Sequence, residues 1–225
     1  MNPAEFFPPL LNPRQAIRLQ LELAKQVKLV GNLDQVERVA ALDAARPRGR
    51  GLVAVAILYD IKANRVIETG IGRIPEAQVF PYIPGLLSFR EGPAYLQALA
   101  SLTAAPQALL VDGQGIAHPR GLGIASHLGL ALGLPSVGVA KSRLYGQALL
   151  PLAQDAGASV PLTQNGQLLG HVYRSRSGVK PLYVSPGHLV APGAALDFVR
   201  RLPGRYRLPE PLHLAHRYAT GAAAS

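Results

Sequence analysis

The sequence predicts a mixed α/β fold: one sheet in which three antiparallel strands continue into parallel strands, flanked by helices. Three observations carry that prediction. Between residues 39 and 71, three short apolar runs follow one another with connections too short for a crossover helix, as in an antiparallel meander. From Phe89 onward helical and extended segments alternate, and the extended ones are nearly all apolar, as in buried parallel strands joined by right-handed crossovers. The length of 225 residues, 48% of them hydrophobic, supports one substantial core and falls short of two typical domains. The expected organisation is one domain over residues 1–218, with the small and polar residues 219–225 forming a disordered tail.

In order along the chain, Asn12 and Pro13 follow a proline-rich lead and form a helix start, Asn as cap and Pro as first helical residue. Ile17, Leu21 and Ala24 recur at helical spacing, which extends that helix to about residue 30. The meander strands cover residues 39–44, 52–58 and 66–71, separated by segments rich in Arg, Pro, Gly and Asn. A helix carrying Tyr95, Leu96, Leu99 and Leu102 follows, then a strand at 108–111, a helix at about 122–132 and a strand at 136–140. Residues 168–173 and 181–184 read as an edge hairpin, and residues 194–202 as the final helix. There is no internal repeat.

Composition narrows the chemistry. The absence of cysteine excludes a disulfide scaffold, a thiolate zinc site and a cysteine nucleophile, so any metal must be held by oxygen or imidazole. The net charge is +10, from 23 Lys and Arg against 13 Asp and Glu, and 18 of the 23 are Arg, whose planar fork suits phosphate. With an isoelectric point near 10.3 the expected partner is a polyanion, foremost nucleic acid, although an Arg-rich and Ala-rich composition also follows from genome base composition alone. The longest apolar run, residues 51–59, is too short to span a membrane, and residues 121–140 are interrupted by Ser126, His127, Pro135 and Ser136. The N-terminus lacks the basic-then-apolar pattern of an export signal. The expectation is a cytoplasmic protein with no membrane partner.

With so few carboxylates, those inside apolar runs stand out. Asp112 ends ALLVDGQG, where an apolar strand delivers a carboxylate into a glycine-rich turn, and ligand sites in open α/β sheets lie at such strand ends. A turn-starting Asp is the plain alternative. Gly113 and Gly115 weigh against it, because glycine lets the backbone approach a ligand. Asp43, in VERVAALDAARP, is flanked by Ala and Leu; an ionised carboxylate there is costly to bury unless paired or metal-bound. Asp60 ends VAVAILYD, but the following Ile-Lys-Ala-Asn reads as a solvated hairpin connection, which makes Asp60 a turn residue. Glu91, in SFREGPAYL, is either the acid of a Ser88-x-x-Glu91 capping box or a ligand; Pro93 fits better as a first helical residue after Gly92, and both roles stay open. Three carboxylates converging from two strand ends and a helix start make a hard, oxygen-lined site suited to Mg²⁺ or Mn²⁺. Acting on a phosphodiester, two such ions roughly 4 Å apart activate a water and stabilise the leaving oxygen, which is nuclease chemistry.

His118 and His188 lie in Gly/Pro loops near strand ends and are candidates for phosphate binding or proton transfer, whereas His127, on a predicted helix, reads as a packing residue. Lys141 follows the strand SVGVA and projects at the same sheet edge as Asp112. A snorkelling surface lysine is the alternative. The segment from Phe80 through Pro81, Tyr82, Ile83 and Pro84 combines apolar side chains with two stiffening prolines. Ile83 and Leu86 are candidates for core packing, while a rigid exposed loop beside a basic surface can wedge between bases and help take a nucleotide out of the helix.

The segments PYIPGLLSFREGPAYL, VDGQGIAHPRGLGIASH, GVAKSRLYG and VSPGH, in this order and followed by YRLPEP, resemble the endonuclease V family, the deoxyinosine-directed repair nucleases. The likeness runs from about residue 39 to residue 216. It implies a ribonuclease H-like fold, a monomer, and Mg²⁺-dependent hydrolysis, with Mn²⁺ able to substitute. The implied cut is at the second phosphodiester 3′ to deoxyinosine in DNA, leaving 3′-hydroxyl and 5′-phosphate ends. The resemblance assigns Asp43, Glu91 and Asp112 as metal carboxylates, His188 as the histidine near the metal and Lys141 as the active-site lysine. It assigns Pro81, Tyr82, Ile83 and Pro84 as the strand-separating wedge, His118 as a DNA contact and Gly113 as backbone lining the pocket for the extruded hypoxanthine. Two positions depart from the family pattern. Gly193 stands where an acidic residue commonly follows the histidine, with Asp197 one helical turn further on as a candidate replacement. Arg46 stands where an aromatic is frequent, within an Arg-Pro-Arg-Gly-Arg segment suited to a phosphate contact. An inosine-directed ribonuclease acting on single-stranded nucleic acid, and a non-catalytic nucleic-acid binding module, are the alternative functions.

Overall fold

A computed structural model describes residues 5–9, 11–47, 49 and 51–224. The first helix, α1 (Pro13–Ala24), starts where Asn12 and Pro13 predict. The Asn12 side chain accepts from the Gln15 N–H at 3.0 Å and the Gln15 side chain accepts from the Asn12 N–H at 3.0 Å, a reciprocal cap whose loss costs about 1 kcal/mol. The helix stops at Ala24 rather than near residue 30. Tertiary pairing overrides the periodicity: the Lys28 N–H donates to His188 Nδ1 at 3.2 Å and the Lys28 carbonyl accepts from the Leu189 N–H at 2.7 Å.

The meander is as expected, with longer strands: β1 (Arg38–Ala45), β2 (Leu52–Asp60) and β3 (Arg65–Ile74) pair antiparallel in sequence. Asp60 is the last residue of β2, and its side chain serves the hairpin turn by accepting from the Ala63 N–H at 2.8 Å. Then come α2 (Leu87–Ala100), β4 (Ala108–Val111), α3 (Ile124–Leu132) and β5 (Ser136–Ala140), with β4 parallel to both β1 and β5. Four more strands extend the sheet: β6 (Gln147–Ala148), β7 (Ser159–Gln164), β8 (Gln167–Tyr173) and β9 (Leu182–Pro186), in the spatial order β3-β2-β1-β4-β5-β9-β8-β7-β6. The hairpin expected from residues 168–173 and 181–184 exists, but it is interior. β9 pairs with β5 and β8 pairs with β7, so the outer edge belongs to β6.

Two helices close the chain, α4 (Pro192–Arg201) and α5 (Glu210–Ala224), so the helix expected to be final is the penultimate one. The expected disordered tail is corrected as well: residues 219–224 are helical, because α5 packs on β1 and β2 through small side chains and Ala219 is fully buried. Ser225 lies outside the described residues.

Alternation along the strands divides the core in two. Val39, Ala41, Val55 and Leu110 face α4 and α5, while Ala40, Leu42, Leu109 and Val111 face α2 and α3. Each fully buried Leu or Val contributes roughly 1.5–3 kcal/mol. His127 is the packing residue expected, stacked on Phe7 with ring centroids 4.1 Å apart. Its Nε2–H donates to the Phe6 carbonyl at 2.8 Å, and its Nδ1 accepts from the Ser88 hydroxyl at 3.0 Å.

Candidate active site

The sheet itself brings two carboxylates together. Leu42 and Val111 are opposite partners at the end of the β1–β4 ladder, and the Asp112 N–H extends it by donating to the Leu42 carbonyl at 3.0 Å. Asp43 and Asp112 therefore leave neighbouring parallel strands at the same level. Asp43 shares the parity of Val39 and Ala41, so it faces α5. There its Oδ1 accepts from the Ala44 N–H at 2.8 Å and its Oδ2 lies 2.6 Å from Nδ1 of His216. Asp112 forms an ion pair with Lys141, which follows β5, and the Lys141 ammonium lies 3.5 Å from His216 Nδ1. Ligand atoms of Asp43, Asp112 and His216 all lie within 4.8 Å of one another, a group that could hold a metal ion.

Glu91 approaches this pair from the opposite face of the sheet. The helix α2 begins at Leu87, with Leu86 as cap residue and no side-chain cap, so the capping-box role for Ser88 and Glu91 is absent and Pro93 lies inside the helix. Ser88 is engaged instead with His127. Glu91 accepts from the Tyr95 hydroxyl, one turn on, at 3.4 Å. Burial pushes the Glu91 carboxyl up to about 8, and the negative charges of Asp43 and Asp112 add to the shift against opposing contributions from Tyr95 and Arg90. Burial and the Asp43 charge also raise Asp112, with Lys141 and His216 opposing. The buried Tyr95 hydroxyl is raised by desolvation and then by all three acids. Carboxylates that burial and mutual repulsion both disfavour as anions are relieved by a cation among them. With oxygen and imidazole as the only donors, the set fits a hard divalent ion.

Beside Asp112 opens a cavity of about 350 Å³ whose lining includes Tyr82, Ile83, Pro84, Gly113 and His118. The loop after β3 is apolar and exposed as expected: Tyr82 is 71% exposed, and Pro81 and Pro84 are exposed too. Ile83 is half-buried and anchors the loop against Ala16, Leu86 and Phe89. A side chain at Gly113 would place its Cβ 2.5 Å from Ile124 Cγ2, another lining atom, so glycine keeps this wall open.

Other assignments change. His188 is not near the carboxylates. Its carbonyl accepts from the Ser136 N–H at the start of β5, whereas Lys141 follows the end of that strand, and its Nδ1 is taken by the Lys28 N–H. The histidine at the site is His216, which the sequence motifs do not single out. The helical recurrence of Leu212, Ala215 and Ala219 is the available signal, since it places residue 216 beside a buried stripe. His118 lines the cavity but offers no free ring nitrogen: Nδ1 accepts from the Arg120 N–H at 3.1 Å and Nε2–H donates to the Gly85 carbonyl at 3.1 Å. Burial, with the Arg120 charge second, pushes its pKa down to about 4, so the ring is neutral. Asp197 is exposed on α4 and pairs with Arg200 at 3.7 Å, away from the acids. Arg46 is ion-paired with Glu76, and Arg48 and Arg50 of the same segment lie outside the described residues.

A sequence profile described as Endonuclease V matches residues 21–217. The endonuclease V of Thermus thermophilus is 62% identical over 211 residues, covering 93% of each chain. Among solved structures, the endonuclease V of Streptomyces avermitilis superposes with a TM-score of 0.86 at 35% identity, covering 97% of this chain and 95% of that one. The endonuclease V of Ciona intestinalis, solved with a 23mer DNA containing an inosine followed by a ribo-adenosine, shares the fold at a TM-score of 0.81 and 23% identity, covering 95% and 99%.

Proposed function

The chain belongs to the endonuclease V family, and from that premise we propose that it is a DNA repair endonuclease that uses Mg²⁺ to hydrolyse the second phosphodiester 3′ to deoxyinosine, leaving 3′-hydroxyl and 5′-phosphate ends. The observation that carries this reading is the meeting of Asp43, Asp112 and His216 at the end of the β1–β4 ladder, with the Glu91 carboxyl close enough to feel both acids and with Asp112 lining a cavity of about 350 Å³.

Asp43, Asp112 and His216 would hold the ion, with Glu91 as the further carboxylate. When bound, Mg²⁺, or Mn²⁺ in its place, supplies charge neutralisation at the phosphate and an activated water. The protein's own groups do the rest. Lys141 adds a positive charge beside Asp112, where a phosphate must be tolerated next to carboxylates. The cavity volume falls in the ~300–1,000 Å³ range of small-molecule sites and suits an extruded base. Pro81, Tyr82, Ile83 and Pro84 would fill the gap that base leaves in the duplex. Surface arginines supply sequence-independent affinity for the backbone. No described helix is long and apolar enough to cross a membrane. A monomer, as the family resemblance implies, acting in the cytoplasm is part of the same proposal.

The test is a nicking assay on duplexes carrying inosine, adenine, uracil or an abasic site, with inosine-containing single-stranded DNA and RNA alongside, each with Mg²⁺ and with EDTA. Mg²⁺-dependent nicking confined to the inosine strand supports the reading. Preferential cutting of the RNA would make the protein a ribonuclease on the same scaffold, and binding without cutting would make it a non-catalytic module.

A further inference from the structure

The loop carrying Tyr82 ends on a glycine whose carbonyl is held from three directions. Gly85 O accepts from Gln20 Nε2 at 3.1 Å, from His118 Nε2–H at 3.1 Å and from the Arg120 guanidinium at 2.7 Å. The donors come from two distant parts of the chain, α1 and the segment after β4. They are also bonded to one another: Arg120 Nε donates to Gln20 Oε1, and the Arg120 N–H donates to His118 Nδ1. Both N–H donors of Gln20 are committed, since its Nε2 also donates to the Leu122 carbonyl at 2.7 Å, and the residue is 1% exposed. Gly85 itself takes φ +79°, and a Cβ there would sit 2.5 Å from the Arg120 guanidinium, so residue identity and clamp are matched.

Building on the proposed function, we infer that Gln20, His118 and Arg120 are positioning residues that fix the Tyr82 loop through the Gly85 carbonyl before nucleic acid arrives. They do so without touching the reacting atoms. Ordering an exposed loop during binding costs conformational freedom, and a loop held beforehand spares the complex that cost. Three bonds on one carbonyl leave the residues between Phe80 and Gly85 anchored at their helical end, with Ile83 anchored in the core and Tyr82 free to project. The clamp also gives the buried His118 its purpose: the neutral ring is a brace between Arg120 and Gly85.

A wedge held in this way makes cleavage depend on duplex structure, because it matters where bases must be unstacked and matters little on a single strand. Arg120→Lys keeps the charge and loses the fork. It is expected to slow nicking of an inosine duplex by roughly tenfold, equivalent to one charge-assisted hydrogen bond, while single-stranded inosine DNA is cut within about twofold of wild type. Combining Arg120→Lys with Tyr82→Ala should add little to Tyr82→Ala alone on the duplex, since both changes disable the same device. Gln20→Met, with its melting temperature measured, is the second probe should Arg120→Lys fold poorly. A duplex-to-single-strand ratio equal to wild type in both variants, equal losses on both substrates, or full additivity with Tyr82→Ala would overturn the clamp. Wild-type cleavage of inosine DNA in the same series tests the enzymatic reading separately; if wild type cuts neither substrate, that reading fails rather than the clamp geometry.

Discussion

Oδ2 of Asp43 and Nδ1 of His216 lie 2.6 Å apart across 173 residues of sequence, joining a strand of the sheet to the last helix of the chain. That pairing makes His216 the imidazole of the site. His216→Ala is expected to reduce Mg²⁺-dependent nicking by about 10–100-fold, the usual effect of losing a partner at a metal carboxylate, and to raise the Mg²⁺ concentration needed for half-maximal rate. Unchanged Mg²⁺ titration and rate would remove His216 from the site.

His188 should behave differently. Its buried ring accepts the Lys28 N–H, so His188→Ala is expected to lower stability by about 0.5–1.5 kcal/mol in urea unfolding, the net worth of one such bond. Nicking per folded molecule should stay near wild type, and a selective loss of rate would restore His188 to the catalytic group.

Asp112→Ala and Asp43→Ala are expected to abolish nicking while largely preserving DNA affinity at moderate salt, because the proposed function draws that affinity from arginines rather than from these acids. Nicking of an inosine duplex by Asp112→Ala at a normal rate would refute the assignment.

Mg²⁺ should raise the melting temperature of the wild-type protein, since a ligand bound only by the folded state stabilises it. The rise should vanish in Asp43→Asn and in Asp112→Asn. A rise of equal size in all three proteins, read by calorimetry, would place the ion elsewhere.

Acid should destabilise the fold through buried histidine. Burial holds His127 down to about 3, well below the ordinary 6.5, so the folded state keeps it neutral while the unfolded chain takes up a proton. Stability from this group is complete above pH 6.5 and is lost as pH falls toward 3, by up to about 2 kcal/mol at pH 5. His127→Gln should show a shallower fall of urea midpoint between pH 6.5 and 5; an unchanged slope would contradict the burial argument.

Strands β4 and β5 were legible to the residue because ALLV and SVGVA are short, uncharged and largely apolar, each preceded closely by a proline and ended by a charged residue, Asp112 or Lys141. β6 and β7 were not. The first is two exposed residues, and the second offers only Val160 and Leu162 on its buried face, with Pro161 between them and polar residues around, an alternation too short to read as a strand. The last helix was obscured by its Ala and Gly content, which suits close packing but gives little amphipathic contrast. Asp43 and Asp112 were legible because a carboxylate in an apolar strand needs a reason. Glu91 was ambiguous because its local context fits a cap, and only the true start of α2 at Leu87 resolves it. His216 sits on an exposed helical surface, where its sequence neighbours give no hint of the strand it meets.

Because α5 supplies His216, a ribosome that has delivered everything through α4 has produced the acids without their imidazole. Translation must run to the closing helix before the carboxylate constellation is whole. A fragment broken off earlier would also leave Val39, Ala41 and Val55 without the Leu212, Ala215 and Ala219 side chains that cover them, so one segment completes both the core and the ion site.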